Sequence, residues 1–198
     1  MEAQEFLSRV LARLPATPPT SFQFAHWQHA GRPTEEGFGI MPIPGLDPEK
    51  VIRAVMSVDR YVGNVDHVSA CRSIPDPRFV PPGSVRFYQK VDVPMLAAIQ
   101  HELVLTRLPA QRGYEIAAWY HLAPETERLN PKDGARSEYS LGAWLAAPGV
   151  LGYALASCPR REDVGFLKWK ALTAGADVAA SKVLKANLEG MARWAARI

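Results

Sequence analysis

Cysteine is scarce: Cys71 and Cys158 are the only two among 198 residues. Two thiols so far apart cannot build a metal cluster alone and are too few for a disulfide framework. With no secretory leader ahead of them, they read as reduced, buried packing thiols of a cytoplasmic protein. Long apolar runs are missing as well. The richest, LGAWLAAPGVLGYALA, is interrupted by glycine and proline and falls short of the roughly 18 residues a spanning helix needs. Charge of one sign is also lacking, since 23 Lys and Arg against 20 Asp and Glu leave a formal +3. That balance is no nucleic-acid footprint, so no nucleic-acid partner is expected. The strings GxGxxG after a strand, GxxxxGK(S/T), GxSxG and HExxH are absent, which removes the nucleotide, phosphate, serine-hydrolase and zincin signatures. No cofactor and no metal are expected. His26 and His29 stand three apart on a predicted strand and therefore on opposite faces, and adjacent His101 and Glu102 cannot share one wall as an acid/base dyad.

What is present is an ordinary globular composition, 47% hydrophobic and 22% charged. One domain over residues 1–198 buries roughly 70% of its unfolded surface, enough for a core or for a core with an internal cavity. Residues 2–14 place Phe6, Leu7, Val10, Leu11 and Leu14 at helical spacing. The prolines from Pro15 onward stop this docking helix, so the N-terminal helical segment is 1–15. Strands are predicted over 22–29 and 37–43, then a helix over 48–56 with Asp47 as its cap and Pro48 in its first turn, and a second short helix over 58–63. From Val65 to Ala156 strands follow one another, separated by proline- and glycine-bearing breaks. The Pro148-Gly149 turn makes 136–158 a hairpin.

The stretch from Asp163 to Ile198 reads as one long amphipathic helix. Phe166, Trp169, Leu172, Ala176, Ala180, Val183, Leu184, Met191, Trp194 and Ile198 gather in one arc, and Lys168, Lys182, Arg193 and Arg197 in another. The middle of the apolar arc is small: Ala176 and Ala180, with Thr173 and Asn187 in line, lie between bulky ends. Small residues flanked by large ones leave a void between helix and sheet. In the alternative, strand aromatics such as Trp119 or Trp144 fill that gap, and the protein is an interaction module with a filled core.

This order of elements resembles the START lipid-transfer domains of the wider helix-grip superfamily. The most recognisable piece is VRFYQKVDVPMLAAIQHELVLTRL, Val85 to Leu108, which looks like that family's strand, proline-bearing turn and next strand. SEYSLGAWLAAPGVLGYALASCP looks like its penultimate hairpin leading into the lid helix. Where many such domains have Arg-Asp, this chain has His101-Glu102. The resemblance implies an α+β helix-grip fold, a curved antiparallel sheet wrapped around the C-terminal helix 163–197. It also implies binding of a hydrophobic molecule such as a lipid or sterol beneath that helix, for transfer or sensing. The basic stripe would make a transient contact with an anionic membrane surface. Related folds include polyketide cyclases and aromatases, for which His101, Arg107 and Tyr139 are the candidate polar trio.

Strand parity then nominates the ligand-facing side chains. On 85–91 the inner set is Val85, Phe87, Gln89 and Val91, and on the next strand it is His101, Leu103 and Leu105. On 114–122 Trp119 is chosen. On 138–145 the more apolar set, Tyr139, Leu141, Ala143 and Leu145, is taken as inward. With Thr173, Ala176, Ala180, Asn187 and Met191 from the helix, these complete the expected ligand-binding residues: Phe87, Gln89, His101, Leu103, Leu105, Trp119, Tyr139 and Leu141 from the sheet and those five from the lid.

Overall fold

The computed structural model describes residues 2–29, 31–93, 97–173 and 177–198, with residues 2, 97, 171–173 and 177–179 described by their backbone alone. The elements run α1 (Glu2–Ala12), β1 (Gln23–Trp27), β2 (Glu36–Pro42), α2 (Pro48–Met56), a 3-10 turn (Val58–Arg60) and β3 (Val68–Ile74). They continue with β4 (Ser84–Val93), β5 (Ala97–Gln111), β6 (Tyr114–His121), α3 (Ala123–Glu127), β7 (Ala135–Ala147) and β8 (Val150–Pro159). The chain closes with α4 (Arg161–Val164), α5 (Phe166–Thr173) and α6 (Asp177–Ala195). Among the described residues no helix is long and apolar enough to cross a membrane.

Eight strands form one curved sheet in the order β1-β2-β8-β7-β6-β5-β4-β3, with every neighbouring pair antiparallel. Beyond the end of β6 the start of β7 reaches across to β5 and pairs with it in parallel, Ile99 opposite Ala135, which pinches the sheet at that corner. The hairpin turn between β7 and β8 uses Gly149 at φ +75°, a left-handed conformation that costs a residue with a Cβ about 1–2 kcal/mol. Helix α2 begins as its residues dictate: Asp47 Oδ1 accepts from the Glu49 backbone N–H at 2.9 Å, and Pro48 stands where an N–H has no helical partner anyway.

Two apolar layers hold the fold. On the outer face of the sheet Phe6, Leu7, Val10 and Leu14 of the N-terminal segment pack with Leu141, Ala143, Leu145 and Ala154 of β7 and β8. That helix is also pinned electrostatically. Glu36, fully removed from solvent, receives Arg9 Nη2 at 2.6 Å and Nε at 2.9 Å, Arg32 Nη1 at 3.2 Å, and the Trp27 indole N–H. Burial alone would raise the Glu36 carboxyl, and these donors more than offset it, so its pKa lies below the ordinary carboxylate value. On the inner face Val51, Ile52 and Val55 of α2 and Leu184, Leu188, Met191 and Trp194 of α6 pack against Phe87, Leu103, Leu105 and Trp144. Tyr61 sits edge-on to both Phe87 and Trp194.

Two expectations require correction. The C-terminal stretch is not one helix from 163: Gly165, at φ +79°, ends α4, and α5 starts anew at Phe166. Phe166, assigned to the buried arc, is 54% exposed. The face assignment on β7 is reversed, because the apolar set that includes Tyr139 and Leu141 points away from α6. The outer face is itself covered by α1, so greater apolarity marks that covered face rather than the lid side.

Candidate functional site

A pocket of about 360 Å³ lies on the inner face of the sheet, beneath the N-terminal half of α6. Its roof is Ala180, Val183, Leu184 and Asn187. Its walls come from β4 and β5 (Gln89, Val91, Ile99, His101) and from β8 (Tyr153, Leu155, Ser157). Its rim is formed by Thr34 and Glu35 before β2 and by Val65, Asp66 and His67 before β3. Alternation delivers these groups: Gln89 is the register partner of His101 and Ser140 that of Ser157, so each pair emerges on the same inner face.

The floor is aromatic. Trp119 stacks on Tyr153 at 5.7 Å between ring centroids, and Tyr153 meets Trp144 at 4.2 Å. The Trp119 indole N–H donates to Ser140 Oγ at 3.3 Å, and its ring lies directly over Gly142, where a Cβ would fall 1.9 Å from Trp119 Cζ2. Glycine at 142 is therefore a space requirement that lets this large ring lie flat on the sheet. The three rings fill part of the space between helix and sheet, and the pocket is what remains beside them.

His101 Nε2 lies 3.0 Å from Gln89 Oε1; an amide oxygen only accepts, so Nε2 carries the proton and Nδ1 holds the lone pair. Desolvation, reinforced by nearby His121, holds the His101 pKa down to about 3, and the ring is neutral at physiological pH. His121, lowered to about 4 chiefly by burial, bonds Ser137 Oγ at 3.1 Å. Burial raises the Tyr153 phenol above its ordinary value, which keeps it protonated. Among the described residues, the buried polar atoms without a hydrogen-bond partner include His101 Nδ1 and Asn187 Oδ1, both on residues lining the pocket, and the Trp194 indole nitrogen, which lies in the core.

Of the residues expected from the sequence, Gln89, His101, Trp119, Ala180 and Asn187 converge on this pocket. Phe87, Leu103, Leu105 and Met191 share its face of the sheet or its helix but lie in the solid core. Tyr139 and Leu141 lie on the opposite face, where the Tyr139 hydroxyl bonds Thr34 Oγ1 and Arg32 stacks on its ring. Ala176 and the Thr173 side chain lie outside the described residues. The trio His101, Arg107 and Tyr139 is not assembled. Arg107 is tied to Glu115 at 2.9 Å and to Glu49 of α2, and only His101 lines the pocket. Glu102, next to His101, faces the other way and accepts from Arg86 Nε at 3.0 Å.

Ser140, Tyr153, Ser157 and the rim residues Asp66 and Asp92 were missed by the sequence reading. The first three carried a legible signal, because the more polar alternation set of β7 and its register partners on β8 is the inner one. The rim loops carried none.

No family model and no curated protein matches the chain in sequence. Solved structures do match its backbone. A STAR-related lipid transfer protein fragment from Xanthomonas axonopodis superposes with a TM-score of 0.70 at 14% identity, over 91% of this chain and 97% of that one. Human StAR-related lipid transfer protein 5 superposes with a TM-score of 0.65 at 12% identity, over 97% and 95%. Human STARD10 gives 0.62 at 16% identity, over 94% and 79%. At these identities the likeness concerns the fold, and the chain has a START-like α+β helix-grip fold.

Proposed function

We propose that the protein binds one hydrophobic molecule in the pocket beneath α6 and serves as its carrier or sensor. The observation that carries this reading is the pocket itself: an unfilled volume of about 360 Å³, walled by Val91, Ile99, Leu155, Val183 and Leu184, with most of its exposed surface apolar. An apolar wall of this kind takes ligand surface out of water at roughly 25 cal/mol per Å², while polar groups set orientation. The likeness to lipid-transfer proteins supports the same reading. The free thiols Cys71 and Cys158 fit a cytoplasmic setting.

Exchange of cargo with a bilayer follows as part of the proposal. Phe166 and Leu167 on α5 are 54% and 80% exposed, and Lys168 stands beside them. Two apolar side chains with an adjacent cation suit the interface of an anionic membrane.

The test is native mass spectrometry of the purified protein, with extraction of any bound mass, on the wild type and on Ala180→Trp. The expected result is a bound apolar molecule or uptake of a neutral apolar dye by the wild type. Loss of that uptake is expected in Ala180→Trp with its melting temperature retained, because the indole occupies empty volume. A wild type that takes up nothing, or an Ala180→Trp protein that unfolds for want of space, would speak for a filled core and against the carrier.

A further inference from the structure

The size and polar end of the ligand can be read from the same pocket, and the inference rests on the hydrophobic-ligand reading above. A cavity of about 150 Å³ holds one benzene ring, about 25 Å³ per non-hydrogen atom, so 360 Å³ seats about 14 such atoms. That is one chain of about a dozen carbons or a compact ring system with one polar substituent. A two-chain phospholipid is several times larger.

The charges on the wall are of one sign. Glu35, Asp66 and Asp92 stand at the rim, and among the described lining residues there is no lysine or arginine. A carboxylate or phosphate would therefore find no lysine or arginine on that lining to pair with. Glu35 already accepts from His26 Nδ1 at 2.6 Å and Asp92 from Ser69 Oγ at 3.0 Å, and Asp66 and Asp92 are exposed, so water and salt screen their pull on a cation.

Inside, the unpartnered atoms are both acceptors. His101 is 5% exposed and Asn187 7%, each lines the pocket, and each keeps one lone-pair-bearing atom without a donor. A buried acceptor without a donor is costly, and a ligand O–H removes the cost, whereas a carboxylate adds further lone pairs.

We propose that the pocket selects an uncharged, single-chain or compact-ring amphiphile of about 14 non-hydrogen atoms, its hydroxyl end directed to the wall that carries His101 and Asn187. Free fatty acids and two-chain phospholipids are discriminated against.

The experiment displaces a neutral solvatochromic dye, Nile red, from the full chain with 1-dodecanol, dodecanoate, dodecyltrimethylammonium and n-dodecane below their aggregation limits, and with phosphatidylcholine vesicles. Dodecanol is expected to displace the dye at about tenfold lower concentration than dodecanoate or the ammonium, and the vesicles to displace it least. Asn187→Leu is expected to weaken dodecanol about three- to tenfold, the range of one hydrogen bond, while leaving n-dodecane unchanged. The same variant should melt at a higher temperature, since an unpartnered buried acceptor has gone; a purely structural asparagine would not separate these two readouts. Dodecanoate, the ammonium or phosphatidylcholine displacing the dye as well as dodecanol, or an Asn187→Leu protein that binds dodecanol as before, overturns the proposal. A wild type that fails to take up Nile red at all overturns the hydrophobic-ligand reading and this proposal together, whereas uptake without preference for the alcohol overturns this proposal alone.

Discussion

Lowering the pH from 7 to 5 should destabilise the protein through His101. In the unfolded chain this imidazole titrates near its ordinary 6.5; in the folded protein burial beside His121 holds it down to about 3. Between those two values the unfolded chain takes up a proton that the folded chain refuses. Stability therefore falls as pH drops below 6.5, continues to fall until the folded value is reached, and is flat above the window. At 1.36 kcal/mol per pKa unit, the loss between pH 7 and pH 5 is about 2 kcal/mol from this residue. The buried carboxylates do not contaminate the window, because Glu36 and Asp163 have folded values below the ordinary carboxylate range and lose their contribution only at more acid pH. His121 acts in the same direction and is common to the comparison. The assay is urea unfolding of the wild type and His101→Gln at both pH values. The variant should lose about 2 kcal/mol less than the wild type on acidification. Equal losses in the two proteins would mean that the folded state accommodates the imidazolium, and the account of a neutral, sealed ring would be wrong.

Three further perturbations test other parts of the fold. Gly142→Ala places a methyl group into the Trp119 ring and should cost about 1–3 kcal/mol in chemical denaturation, with a changed tryptophan emission; an unaltered midpoint would show that the ring does not lie where the geometry puts it. Arg9→Met removes two charge-assisted bonds from the solvent-free Glu36 and should lower stability by about 2–3 kcal/mol, read from the urea midpoint, with α1 loosening first in hydrogen exchange. Leu167→Asp should leave the melting temperature unchanged and reduce co-sedimentation with anionic vesicles at least threefold, and undiminished sedimentation would remove α5 from the membrane proposal.

Much of the chain was legible because its signals are local. The alternation in SVRFYQKVDV, the cap at Asp47 and the turn at Pro148-Gly149 each act within a few residues, and the corresponding elements stand where those signals point. The parity of β4 and β5 was readable as well: Gln89 and His101 share a face whatever packs on it. Parity on β7 failed for a reason of layers. It separates Leu141 from Ser140 but cannot say which side holds the pocket, and here the more apolar side is covered by α1.

The sequence by itself determined the N-terminal helix, the Asp47-capped helix, most of the run of strands and the small side chains under the last helix, since these depend on backbone preference and the two-residue repeat of a strand. Only the tertiary structure decided which face looks inward, that Gly165 divides the C-terminal helices, and that Trp119 lies flat over Gly142 beside a pocket walled by His101 and Asn187. Those outcomes depend on volumes and contacts between segments up to about a hundred residues apart, where what matters is how much space the packed layers leave over, and no local pattern encodes a remainder.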